Sequence, residues 1–176
     1  MFRFNSVKQA ALVSNRPTMT SAGIPNNVAN DGGRVRSKSG TVALATTDLT
    51  LGDVVVLAGL PKGAVVLSIR LAADDLDSGA TPLLTWNVGL YADATGLTAK
   101  NASAYATAVT LGQAATAFTD YAFEARGIEL AGQKVWQDAG DTVEGGGEYF
   151  LAATVAAAPA TAVAGDLSFI VEYAID

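Results

Sequence analysis

The chain has 176 residues, half of them hydrophobic by type and 16% charged, with a net charge of −6, no Cys and no His. A chain of this length is expected to form one domain whose core needs no covalent staples. The missing residue types exclude a disulfide framework, thiolate or imidazole metal sites, an imidazole base and every nucleophile pair built on His, so neither an enzyme nor a cofactor is expected.

The first 38 residues are basic. Arg3, Lys8, Arg16, Arg34, Arg36 and Lys38 face the single acid Asp31, a balance of +5, whereas the other five basic groups face sixteen acids, a balance of −11. This segment is rich in Asn, Ser, Gly and Thr and carries Pro17 and Pro25. It lacks the apolar surface to fold alone, and residues 1–40 read as an extended N-terminal arm. Ser6 and Gln9 have the spacing of a capping box and predict about two helical turns running into Ala10–Val13, marginal unless packed against something. Two readings of the arm stand side by side. One is a leader without a role. The other is an arm that docks on acidic protein surface through Arg3, Phe4, Lys8, Leu12, Arg16, Arg34, Arg36 and Lys38. The start has no continuous apolar run of the secretory kind, and the longest apolar runs, 54–60 and 152–158, fall well short of the roughly 20 residues that cross a bilayer.

From residue 41 to 176 the chain reads as strand, turn, strand. Thr41–Thr47 alternates, and Gly52–Asp53 and Pro61–Gly63 are turn chemistry around the apolar run 54–60. Val65, Leu67, Ile69 and Leu71 share one face of a strand, as do Leu84, Trp86, Val88 and Leu90. Residues 93–96 read as a tight turn and Asn101–Ala108 as a helical turn on an Ala-rich face. Residues 113–126 fit a long loop or a strand, and Ile128–Gln137 reads as a strand broken near Gly132. Gly145–Gly147 opens a strand over 148–156, and Leu167, Phe169, Val171, Tyr173 and Ile175 alternate in the last one. About eight strands with frequent turns predict an all-β, jelly-roll-like β-sandwich.

Local features that invite chemistry are weak. Asp74–Gly79 has the alternating Asp75, Asp77 and Gly79 of a calcium loop but no closing Glu, and a solvated turn is the expected state. Gly145–Gly147 lies between Glu144 and Glu148, which would repel phosphate. Asp138, Asp141, Glu144 and Glu148 would make a glycosidase pair only if two of them faced across a sugar cleft. Trp86, Trp136, Tyr91, Tyr105 and Tyr121 would make a sugar-stacking platform, with Trp136 the freer indole and Trp86 expected in the core. Arg34–Lys38 is the one basic cluster in a protein of pI near 4.5, too narrow for a specific nucleic-acid binder.

The succession Gly52–Leu57, Leu60–Leu71, Asp77–Pro82, Trp86–Tyr91 and Ala164–Tyr173 resembles small structural proteins of tailed bacteriophages, found in virions as capsid decoration (cement) proteins. The resemblance covers roughly residues 41 to 176 and lies in turns and core strands, so it transfers no functional residue. It implies a jelly-roll-like body, a homotrimer, the major capsid protein as partner, and a place on the outer capsid surface after assembly in the bacterial cytoplasm. A tail- or fibre-associated β module binding host glycans is the alternative, and a carbohydrate-active enzyme with paired carboxylates is the third reading.

Overall fold

A computed structural model describes residues 34–95 and 97–175. Eight strands make up the fold: β1 (Arg34–Leu44), β2 (Val54–Pro61), β3 (Val65–Ala73), β4 (Thr85–Tyr91), β5 (Ala99–Val109), β6 (Thr116–Asp120), β7 (Glu148–Ala157) and β8 (Gly165–Ile175). They form two four-stranded antiparallel sheets, ordered β1-β8-β3-β6 and β2-β7-β4-β5. The pairs β1·β8, β2·β7, β3·β6 and β4·β5 nest inside one another, as in a long hairpin rolled up on itself. This is the jelly-roll arrangement.

Alternation places the core. In β3 and β8, Ile69 pairs with Val171 and Leu71 with Phe169, and in β4 and β7, Trp86 pairs with Val155, Val88 with Ala153 and Leu90 with Leu151. All of these side chains are buried between the sheets. The Trp86 indole N–H, fully enclosed, donates to the Leu111 carbonyl at 2.9 Å, so the largest core group leaves no polar atom unsatisfied.

Besides a bulge in β3 between Val66 and Ser68, which puts Val66 in the core and takes Val65 and Leu67 off the face of Ile69 and Leu71, three segments differ from the sequence expectation. Residues 101–108 belong to strand β5, where a helical turn is predicted. β5 bulges repeatedly against β4, and Ala108 takes a left-handed φ of 52°. The bulge brings Asn101 and Ala102 backbone within 2.2 Å of where a Cβ on Gly89 would sit, so only glycine fits there. Second, Ile128–Gln137 is no strand. It holds a 3-10 turn at Ile128–Leu130 and one helical turn, α1 (Val135–Asp138), with Gly132 between them at φ 97°. Third, β1 begins at Arg34, so the expected boundary between arm and body at residue 40 falls inside a strand that is paired along its whole length.

Candidate assembly surface

The predicted docking residues divide in two. Arg3, Phe4, Lys8, Leu12 and Arg16 lie outside the described residues, as does the capping box at Ser6–Gln9. Arg34, Arg36 and Lys38 are on β1, at alternate positions that put them on one face. Their partners across the ladder are Ile175, Tyr173 and Val171, so this is the face turned toward the other sheet. The side chains are nevertheless exposed, because β1 is the outer strand of its sheet and overhangs the sandwich. Lys38 Nζ donates to the Gly59 carbonyl on β2 at 2.5 Å, bridging the free edges of the two sheets. Neither arginine forms an ion pair with a described carboxylate.

At the opposite border of the same sheet, β6 is exposed from Ala117 to Asp120, with Phe118 half in solvent. Asp120 accepts backbone N–H groups from Ile69 and Ala122, and Glu124 accepts that of Thr107. The two outer strands thus differ in charge, with three cations on β1 and the single carboxylate Asp120, whose ladder partner is Arg70, on β6.

The two ends of the sandwich also differ. The connections 45–53, 74–84, 110–115 and 158–164 meet at one end and contain no Lys or Arg. Their carboxylates are held by backbone. Asp48 accepts from Ala45 N, Asp53 from Thr50 N, and Asp74 from Asp166 N. Asp77 corrects the expectation of a solvated turn, since it is 1% exposed. Its two oxygens accept N–H groups from Gly79, Leu83, Leu84, Ala160 and Thr161, which clamps the β3–β4 and β7–β8 connections together. Burial pushes its carboxyl up, but the backbone donors outweigh it and hold the group well below the usual carboxylate range.

At the other end, where Asp93 and Glu124 also accept backbone N–H groups, three carboxylates meet cations. Asp138 and Arg126 form a buried ion pair at 2.7 Å, with Tyr105 Oη donating to the same Asp138 oxygen at 3.0 Å. Arg126 also donates to the Val66 carbonyl and lies 4.5 Å from the Phe123 ring centre. Burial raises the Asp138 carboxyl, opposed by the guanidinium, and burial raises the Tyr105 hydroxyl well above its ordinary value. This network ties the long β6–β7 connection to β5 and β3. Nearer the surface, Asp141 pairs with Lys100 at 2.9 Å and accepts from Tyr149 Oη, and these two partners lower its carboxyl. Lys134 pairs with Glu144 at 3.1 Å, beside a shallow cavity of about 340 Å³ lined by Lys62 and Gly145–Gly147.

Asp138, Asp141 and Glu144, read as glycosidase candidates, are thus each engaged with a separate cation. The aromatic residues offer no exposed platform either. Trp86, Tyr91, Tyr105 and Tyr121 are buried, and Trp136, expected to be the freer indole, is half-buried against the core with its N–H enclosed. Among the described residues no group of three or more acids is gathered closely enough to hold a metal ion. Sequence reasoning missed Arg126 and the buried role of Asp77, because each owes its role to residues far away in the chain.

No family model and no curated protein matches the sequence. Solved structures do. A chain of the "Cyanophage Pam1 capsid asymmetric unit" is 30% identical, with 82% of this chain and 87% of that one covered and a TM-score of 0.57. A chain of the "Capsid of Ralstonia phage GP4" is 23% identical over 82% of this chain and 86% of that one, with a TM-score of 0.62, and shares the fold. The molecule is an all-β sandwich of jelly-roll topology, with exposed strand edges and its buried charges tied up internally. It is a phage capsid-related protein, a structural part of the virion.

Proposed function

We propose that this protein is a capsid decoration (cement) protein, bound as a homotrimer to the outer surface of the phage head, where it reinforces junctions between capsomers of the major capsid protein. The observation that carries the reading is the likeness to a chain of a phage capsid at 30% identity over most of both chains. The physical requirements of cement agree with it. A shell under internal pressure needs a rigid clamp, and here both ends of the sandwich are pinned by buried polar networks. An arm formed by residues 1–33 would add reach. At about 3.3 Å per residue, a fully extended segment of that length could reach on the order of 110 Å. Arg3, Lys8 and Arg16 would be drawn to acidic protein surface, while Phe4 and Leu12 add burial.

Electron microscopy of purified particles tests this reading. Density for this chain at a fixed set of capsomer junctions on the outer surface, in stoichiometric copy number, is the expected result. Its absence from the head, or its presence in the tail alone, would sink the proposal. Removing residues 1–38 takes β1's basic half with it, so the arm is better tested by removing residues 1–30. That variant should keep its β circular dichroism spectrum and bind undecorated heads more weakly. Full-strength, salt-insensitive binding without those residues would assign them no docking role.

A further inference from the structure

The free edge of β1 has an occupant within the chain itself: we infer that residues 24–30 lie along it as an antiparallel strand, joined to β1 by a two-residue turn at Asp31–Gly32. This goes beyond the cement reading and holds wherever the protein sits in the particle. β1 is an outer strand of its sheet, every residue from Arg34 to Thr41 is exposed, and Val35 keeps 64% of its surface in water. An exposed edge of that length is a template for another strand. The chain immediately before β1 can supply one. Asp-Gly is a strong signal for a two-residue hairpin loop, and Val28 and Val35 stand symmetrically on either side of it.

The hydrogen-bonding phase of the sheet decides whether such a hairpin can form. Ile69 turns both backbone groups to the β6 side, donating to the Asp120 carboxylate at 3.1 Å and accepting from the Tyr121 N–H at 2.8 Å. The Asp74 N–H instead donates to the Asp166 carbonyl at 3.0 Å, beside β8. Bonding sides alternate along a strand, so Arg70 and Ala72 face β8 and engage their partners Ile170 and Ser168. In β8, Phe169, Val171 and Tyr173 then face β1 and engage Gly40, Lys38 and Arg36. That leaves the backbone groups of Val35, Ser37 and Ser39 pointing out of the sheet at its free edge. A two-residue loop at Asp31–Gly32 makes Asn30 and Gly33 its first bonded pair, followed by Val28 with Val35, Asn26 with Ser37 and Ile24 with Ser39. The residues that this hairpin needs are the ones left free. Pro25 fits the same phase, because it falls opposite Lys38, where a strand N–H would point away from β1 and none is required. There the proline also blunts the new edge against further pairing. Residues 1–23 then remain as the arm, leaving from the middle of β1 and not from its first residue.

Amide hydrogen exchange in the full-length chain reads this pairing residue by residue. The Val35 and Ser37 amides should exchange slowly, as should those of Arg36 and Lys38, which β8 holds. Asp31→Ala with Gly32→Val puts side chains where the turn needs a left-handed backbone. It should speed exchange at Val35 and Ser37 about tenfold and leave Arg36 and Lys38 unchanged. The absence of Cys permits a second test by disulfide formation. Asn27 and Arg36 come opposite each other at a non-bonded pair, so Asn27→Cys with Arg36→Cys should close an intramolecular disulfide under mild oxidation. Asn27→Cys with Ser37→Cys places the thiols on opposite faces and should close about tenfold more slowly. Fast exchange at Val35 and Ser37 in the parent chain, protection that survives the turn substitutions, or equal closure of the two cysteine pairs would each overturn the inference. Protection that rises with protein concentration, or disulfides that join two chains, would assign the edge to a second copy and overturn it as well. None of these outcomes bears on whether the protein decorates heads, so the two ideas fail separately.

Discussion

The two ends of the sandwich hold their buried carboxylates, Asp77 and Asp138, by opposite means. At one end, connections without a single Lys or Arg surround Asp77 with five backbone N–H groups. At the other, Asp138, Asp141 and Glu144 each meet a side-chain cation. Backbone donors are fixed by the fold and carry no net charge to desolvate. A buried guanidinium must itself be stripped of water, and that cost offsets much of its attraction for the carboxylate. The first arrangement stabilises; the second chiefly specifies where the β6–β7 connection lies.

The largest test of that contrast is at the buried ion pair. Arg126→Ala leaves the Asp138 carboxylate enclosed without its cation and should cost about 3–5 kcal/mol in denaturant unfolding. Arg126→Met with Asp138→Leu and Tyr105→Phe removes the whole network and should return the midpoint to near the parent's. If the triple variant is as unstable as Arg126→Ala, the ion pair contributes net stability and the contrast fails. Next in size, Asp77→Ala leaves several backbone N–H groups without an acceptor and should cost about 3 kcal/mol. No multiple substitution of side chains rescues it, because its partners are main chain.

pH separates the ends by sign. The Asp77 carboxyl lies below its unfolded value of 3.8, so its contribution is full above about pH 4 and is lost as the pH falls through the folded value. The Asp138 carboxyl is raised, so the folded state takes up that proton first and gains relative stability as the pH falls through its folded value. Asp77→Asn should therefore flatten the loss of stability below pH 4, and Asp138→Asn should not. Equal acid limbs for the parent and Asp77→Asn in urea titrations would contradict the assignment. The smallest expected effect is at the exposed rim of the cation end, where Lys134→Met should change stability by about 0–1 kcal/mol and less still in high salt.

Much of the fold was legible in local alternation. Leu84–Leu90 and Leu167–Ile175 bury one face each, and period-2 patterning reports that directly, whereas in β3 the pattern holds only from Ile69 onward because a bulge between Val66 and Ser68 shifts the alternation. The misreadings come from contacts that no local pattern encodes. Asn101–Ala108 is Ala-rich and lacks β-branched residues over most of its length, so propensity favours a helix, yet pairing with β4 overrides it. Asp77 looked like a solvated turn because Ala160 and Thr161, which bury it, lie in the β7–β8 connection. The basic stripe of the candidate surface was visible as Arg34, Arg36 and Lys38. Their place on an outer strand was not, because only the sheet order shows it.

The nesting of strand pairs has a consequence for how the molecule is made. β1 finds its one neighbour within the sheet in β8, the eighth strand, while only β4 and β5, at the centre of the chain, pair across a short connection. Loop closure grows costlier with each pair outward from that hairpin, so folding should be slow, with the order β4·β5 first and β1·β8 last. A nascent chain on the ribosome would present β1 long before β8 emerges. Arg34, Arg36 and Lys38 would then set like charges against one another on the unpaired strands of neighbouring growing chains, a feature that disfavours edge-to-edge association.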